Sequence, residues 1–154
     1  MKKNFRIIIA IIVLICSINN VSSQDFVSED AAKKVGYNFI SYNSEKSQPI
    51  LNLVNVQNGR DEQPNLYIFD VEGGGFVIIS ASKKVKPILA YSFKNNFGDE
   101  IPQTTSYFIK NYNETINHQK ESDIAPEKEI TDLWKALENN ELKTRVTTIV
   151  NPLL

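Results

Sequence analysis

Cysteine, histidine, tryptophan and methionine each occur once in the 154 residues. Cys16 falls in a hydrophobic stretch near the start, so no thiol remains from residue 24 onward, and His118 is the only imidazole. A disulfide framework, a tetrahedral zinc site and a Cys–His nucleophilic dyad all need more of these groups than one such chain carries. Glycine is also scarce. Three of the six stand together as Gly73-Gly74-Gly75, and no Gly-x-Ser occurs, which removes the nucleophile elbow. Long apolar runs are missing too. The longest near the start, residues 7–16, is far short of the roughly 20 residues of a membrane-spanning helix. Neither sign of charge dominates. Of 17 basic residues, Lys2, Lys3 and Arg6 belong to the first 23, leaving 14 against 18 acids. A mildly acidic body argues against nucleic acid or an anionic membrane as partner.

What is present begins with a leader. Three cations precede the apolar run, and a polar stretch follows with Val21 and Ser23 three residues and one residue before a cut. This is the layout of a secretory signal peptide over residues 1–23, cleaved after about Ser23. The expected location is secreted or periplasmic. Lipid anchoring through Cys16 is disfavoured, because bulky Ile15 stands where a lipobox takes a small residue.

The body, residues 24–154, reads as one α+β domain. Ser28, Glu29 and Asp30 open a helix over 28–43 whose apolar stripe is Ala31, Ala32, Val35, Phe39 and Tyr42. Gly36 inside that helix implies a close contact, since it costs about 1 kcal/mol relative to Ala. Residues 49–56 form a strand. Residues 66–71 and 76–80 are two more, joined by a Glu72-Gly73-Gly74-Gly75 turn, and 87–93 completes the meander. The expected architecture is a four-stranded antiparallel sheet packed against about three helices, since at least one face must be covered for the sheet to be stable. The second helix spans 104–120 with Phe108, Ile109, Tyr112 and Ile116 as its stripe. The third spans 126–139, with Pro126 in its first turn and Ile130, Leu133, Trp134 and Leu137 on one face. Residues 144–154 are extended and apolar.

Catalytic and cofactor motifs fail one by one. The triple glycine lacks the third Gly of a dinucleotide fingerprint (Ile78 stands there) and the Lys-Ser/Thr of a Walker loop. His118, between Asn117 and Gln119, reads as a solvated side chain. The acid pairs Asp61-Glu62, Asp99-Glu100 and Glu127/Glu129 diverge or sit at a helix start, unlike the converging pair of a glycosidase. Phe69, Phe76, Tyr91, Phe93, Phe108 and Tyr112 fall at core positions. Asn113-Glu114-Thr115 is a glycosylation triplet by pattern only, on a helix. No metal, cofactor or catalytic residue is expected, and the class that remains is a binding or interaction module.

Residues 66–116 resemble the prosegment of the streptopain family of secreted bacterial cysteine peptidases, and equally their free-standing, Spi-type inhibitors. The likeness is carried by Leu66-Tyr67-Ile68-Phe69, by Gly74-Gly75-Phe76-Val77-Ile78-Ile79-Ser80-Ala81, by Pro87-Ile88-Leu89-Ala90-Tyr91-Ser92, by Pro102, and by the helix with Phe108, Tyr112 and Ile116. Ala90 replaces the family's usual Gly. Residues 25–40 resemble the family's first helix, and Val150-Asn151-Pro152-Leu153-Leu154 the stretch just before the mature peptidase. The family's catalytic Cys and His lie beyond that stretch. The resemblance therefore implies a prosegment without its enzyme. That is either an inhibitor acting in trans on a streptopain-like cysteine peptidase or a truncated precursor; an unrelated extracellular binding domain is the other reading. It also implies an inhibitory loop at Ile101, Pro102, Gln103, Thr104 and Thr105. Thr104 aligns with the family's pocket-entering Asn, Gln103 is its alternative, and a plain helix cap by Thr104 is the competing role. The tail Val150, Asn151, Pro152, Leu153 and Leu154 could lie along the partner or pack on the domain's own sheet.

Overall fold

The computed structural model describes residues 25–98 and 103–142, with Gln103 and Thr104 described by their backbone alone. The leader over 1–23 and the tail over 144–154 lie outside the described residues. Helix α1 (Glu29–Asn43) starts as its sequence predicts. Ser28 Oγ accepts from the Ala31 N–H at 3.3 Å, and Glu29 and Asp30 place negative charge at the positive helix end. It stops at Ser44, whose N–H and hydroxyl both donate to Ile40 O, at 2.9 and 2.7 Å.

Four strands follow: β1 (Leu51–Asn58), β2 (Pro64–Val71), β3 (Phe76–Ser80) and β4 (Ile88–Ser92). They form one antiparallel sheet in the order β1-β2-β3-β4. The α+β meander is as expected. The β2–β3 turn needs its glycines: φ is +78°, +101° and +114° at Gly73, Gly74 and Gly75. A Cβ on Gly74 would stand 2.6 Å from Lys94 O, and one on Gly75 2.7 Å from Ser92 O. Lys46 Nζ fastens this turn to the end of α1 by donating to Glu72 O (2.8 Å) and Gly74 O (2.6 Å).

The sheet is packed against helices as expected, and the cover extends beyond the one face that stability requires. Helices cover both faces, so β2 and β3 are buried on both sides. Tyr67, Phe69, Val71, Val77 and Ile79 point to a first core with Val35, Phe39 and Ile40 of α1 and Leu133, Trp134 and Leu137 of α3 (Lys128–Glu138). Leu66, Ile68, Phe76 and Ile78 point to a second core with Ile109 and Ile116 of α2 (Gln103–Glu121). The two-residue alternation of a strand produces this division. A register shift between Ile78 and Ile79 lets β4 send Ile88 to the first core and Ala90 to the second.

Gly36 is explained. A Cβ there would lie 2.9 Å from Leu51 Cδ2 and 3.2 Å from Val77 Cγ1, so α1 rests directly on the sheet. Other expectations shift. Tyr42 is exposed and Ile40 takes its place, because the α1 stripe runs through residues 32, 35, 36, 39 and 40. Pro126 lies before the first turn of α3, which begins at Lys128 after Glu127. Phe93 falls outside β4 and is exposed, and Phe108 lies on the flank of α2 rather than in its stripe. Side-chain bonds hold α3 in place, among them the 2.7 Å ion pair of Lys83 with Glu138. Trp134 Nε1 donates to Val85 O at 2.8 Å, and buried Asn38 Nδ2 donates to Leu137 O at 2.6 Å.

Candidate functional site

The position of the candidate residues follows from how α2 is held. Its C-terminal half is fastened to the β1–β2 turn by a polar network around Asn65, a fully buried residue of β2. Asn65 Nδ2 donates to Asn113 Oδ1 (2.6 Å), Asn113 O (3.2 Å) and Asn117 Oδ1 (2.7 Å). Its Oδ1 accepts from Lys120 Nζ at 3.0 Å, and Lys120 continues to Asp61 at 2.7 Å. From the turn, the Arg60 N–H donates to Asn117 Oδ1 (3.1 Å), while its guanidinium meets Glu114 (2.5 Å) and Glu121 (3.1 Å). Asn113 Nδ2 donates to Asn58 O at 3.1 Å. Gly59 admits this packing, since a Cβ there would stand 2.6 Å from Asn65 Oδ1 and 2.7 Å from Asn117 Oδ1.

Electrostatics at this end support the clamp. Burial opposes ionisation of Asp61. The Lys120 hydrogen bond and charge, with backbone N–H groups of Gln63 and Asp61 itself, outweigh it and hold the carboxyl below its ordinary range. The hydrogen bond that Arg60 donates to Glu121, followed by the charges of Glu114 and Glu121, raises the Arg60 guanidinium. Midway along α2, Tyr112 OH donates to Leu89 O at 3.0 Å, and burial raises its phenol.

The glycine turn and the residues after β4 lie at the end of the sheet opposite the β1–β2 turn. There Asp70 Oδ1 accepts from the Phe97 N–H (2.7 Å), and the Phe97 ring meets Phe76 edge-on at 5.4 Å. Phe93 packs 4.9 Å from Tyr91 and 6.4 Å from Phe39, ring to ring.

Of the five expected loop residues, Ile101 and Pro102 lie outside the described residues, and Gln103 and Thr104 open α2. Thr104 is thus the second residue of the helix rather than its cap. Thr105 is half-buried and spaced with Ile109, Tyr112 and Ile116, which puts it on the inward stripe. The tail residues Val150, Asn151, Pro152, Leu153 and Leu154 lie outside the described residues. Two residues the sequence reading passed over or misplaced stand just after the helix start. Tyr107 is 62% exposed and Phe108 39%, with ring centroids 6.1 Å apart at 68°. A helical wheel drawn from Ile109 and Ile116 would have put both off the stripe. His118 is exposed. Among the described residues no group of three His, Cys, Asp or Glu is placed to hold a metal, and no helix is long and apolar enough to cross a membrane.

Residues 24–116, more than half the chain, match the family model described as Spi protease inhibitor. The chain belongs to the Spi protease inhibitor family. The family's residues take in α1, the whole sheet and α2 as far as Ile116; α3 lies beyond them. Streptopain from Streptococcus pyogenes is 30% identical to this Spi-family chain over 103 residues, and streptopains of serotypes M1 and M3 match equally. The aligned part is 66% of this chain and 24% of each streptopain, so the chain spans about a quarter of the length of the curated relatives it matches.

Proposed function

We propose that this protein is a secreted, non-catalytic inhibitor that blocks the active-site cleft of a streptopain-like cysteine peptidase. The observation that carries the reading is the family match over residues 24–116, which contains every strand and the start of α2. The blocking element is the segment of Ile101, Pro102, Gln103, Thr104 and Thr105 at the head of α2. Within it, Thr104, with Gln103 as its alternative, is the residue proposed to enter the partner's pocket.

The physical basis is preorganisation. α2 is fixed on the sheet by its apolar stripe, by Tyr112 and by the Asn65 network. A helix head held this firmly loses little conformational entropy when it enters a cleft, so more of the contact energy appears as affinity. A complex of standard size would bury roughly 1,600 Å² in total.

The test is titration of mature streptopain activity with purified residues 24–154. Loss of activity at a stoichiometric ratio is expected. Full protease activity in the presence of excess protein would overturn the reading.

A further inference from the structure

The first two turns of α2 differ from the rest of the helix. Its stripe reaches the second core first at Ile109, and the polar network holds it from Asn113 onward. Ahead of Ile109, Ser106, Tyr107 and Phe108 are exposed. Thr105 is half-buried on the inward stripe, so the exposed projection is the short run of residues 106–108. This projection is uncharged, whereas the remainder of the helix carries Lys110, Glu114, Lys120 and Glu121. Its two large side chains are adjacent aromatics in edge-to-face contact, and both are left to solvent. Thr104 precedes them by three and four residues, the spacing of neighbours on one helix face.

We propose that Tyr107 and Phe108 form an aromatic anchor that packs against an uncharged, apolar wall of the target peptidase's cleft, beside the segment that enters it. This rests on the inhibitor reading above. The charge pattern selects the occupant. A wall of ammonium groups would have its charges desolvated against two rings with no anion on α2 before Glu114 to pair them, and a wall of carboxylates would meet a single cation, Lys110, three residues past Tyr107. An apolar wall loses only water. Exposed aromatics of this kind are the residue type that dominates interfaces once a partner encloses them.

The experiment measures inhibition of mature streptopain by the unaltered protein and by Tyr107→Ala, Phe108→Ala, the double variant and, as a control on the same helix, Lys110→Ala. Each single alanine variant should weaken inhibition by about 10-fold or more and the double by about 100-fold, chiefly through faster dissociation. Lys110→Ala should match the unaltered protein. Raising salt from 0.05 to 0.5 M should leave the unaltered protein's inhibition within about 3-fold, because an uncharged contact has little to screen. All variants should keep their melting temperature, since the side chains removed are exposed. If the unaltered protein inhibits and the alanine variants inhibit equally well, the anchor is wrong while the inhibitor reading stands. A steep loss of inhibition with salt likewise overturns the uncharged wall alone. If the unaltered protein leaves streptopain untouched, both fall.

Discussion

Asn65→Asp changes one nitrogen to oxygen at the centre of the clamp and preserves the shape of the side chain. The Asn65 amide donates to two side-chain oxygens, on Asn113 and Asn117, and to one carbonyl. A carboxylate has no donor, so these contacts become oxygen against oxygen in a fully buried site. The lost hydrogen bonds are worth about 1 kcal/mol each, and stranding their partners adds about 1–3 kcal/mol. Lys120 Nζ at 3.0 Å offsets part of this. The net loss at pH 7 should be about 3 kcal/mol. The facing oxygens disfavour the anion, so folding raises the pKa of the introduced carboxyl. The penalty is then fully present above the folded pKa and shrinks as pH falls toward the unfolded value near 4, because a protonated Asp regains one donor. Asn65→Ala should lose about 2–4 kcal/mol with no such recovery, and it corrects for the titration of other groups. The assay is urea unfolding followed through Trp134, the single tryptophan, which is buried. With a slope of about 1.5 kcal/mol/M, the Asp variant's midpoint should fall by about 2 M. A midpoint unchanged at pH 7, or an Asp penalty that grows relative to Ala on acidification, would refute the reasoning.

Asp61 should titrate below an ordinary aspartate. Its contribution is present above the unfolded pKa near 4 and is lost as pH falls through the depressed folded value, and Lys120→Met should move the titration upward by NMR. Gly74→Ala should cost about 2–3 kcal/mol, since it meets both a positive φ and Lys94 O at 2.6 Å; thermal unfolding reads this directly. Tyr112→Phe should lose about 1 kcal/mol through the missing bond to Leu89 O, visible as a small drop in urea midpoint. Asn113 should stay unmodified when the protein passes through a glycosylating host, because both ends of its amide are engaged with Asn58 and Asn65; intact mass decides the point.

The hairpin was legible because its signals agree. β-Branched and aromatic residues flank a turn where three glycines adopt left-handed backbone, and no other reading of residues 66–80 satisfies both. The ends of α1 were legible for a similar reason, since Ser28 and the acids after it act locally. Burial on both sheet faces was missed although a sign of it was present. Residues 66–69 and 76–79 are unbroken apolar runs, which a half-exposed strand would interrupt with polar residues. Phe108 was assigned to the core because it is large and apolar. The helix period, counted from Ile109 and Ile116, puts it on the flank, and size does not override that geometry. Asn65, Asn113, Asn117 and Lys120 were the least visible. Each reads as a surface residue in isolation, and Asn113 carried a distracting glycosylation pattern. Only the spacing of 113, 117 and 120 along the stripe of 109 and 116 marks them as one polar face turned inward.

That inward polar face bears on function. A helix held by apolar contacts alone can slide or roll by a few degrees at little cost, because hydrophobic attraction has no direction. The Asn65 network removes that freedom. Its bonds from β2, its tie to the β1–β2 turn through Arg60 and its salt link from Lys120 to Asp61 fix rotation and axial position together. The network costs desolvation of several polar groups, and an apolar substitute of equal volume could match its stability. What an apolar substitute would not supply is a single register for α2. For a protein whose proposed working part is the head of that same helix, register decides where Gln103, Thr104, Tyr107 and Phe108 stand in space. On the proposed function, the polar clamp at the far end of α2 belongs to the binding mechanism as much as to the fold.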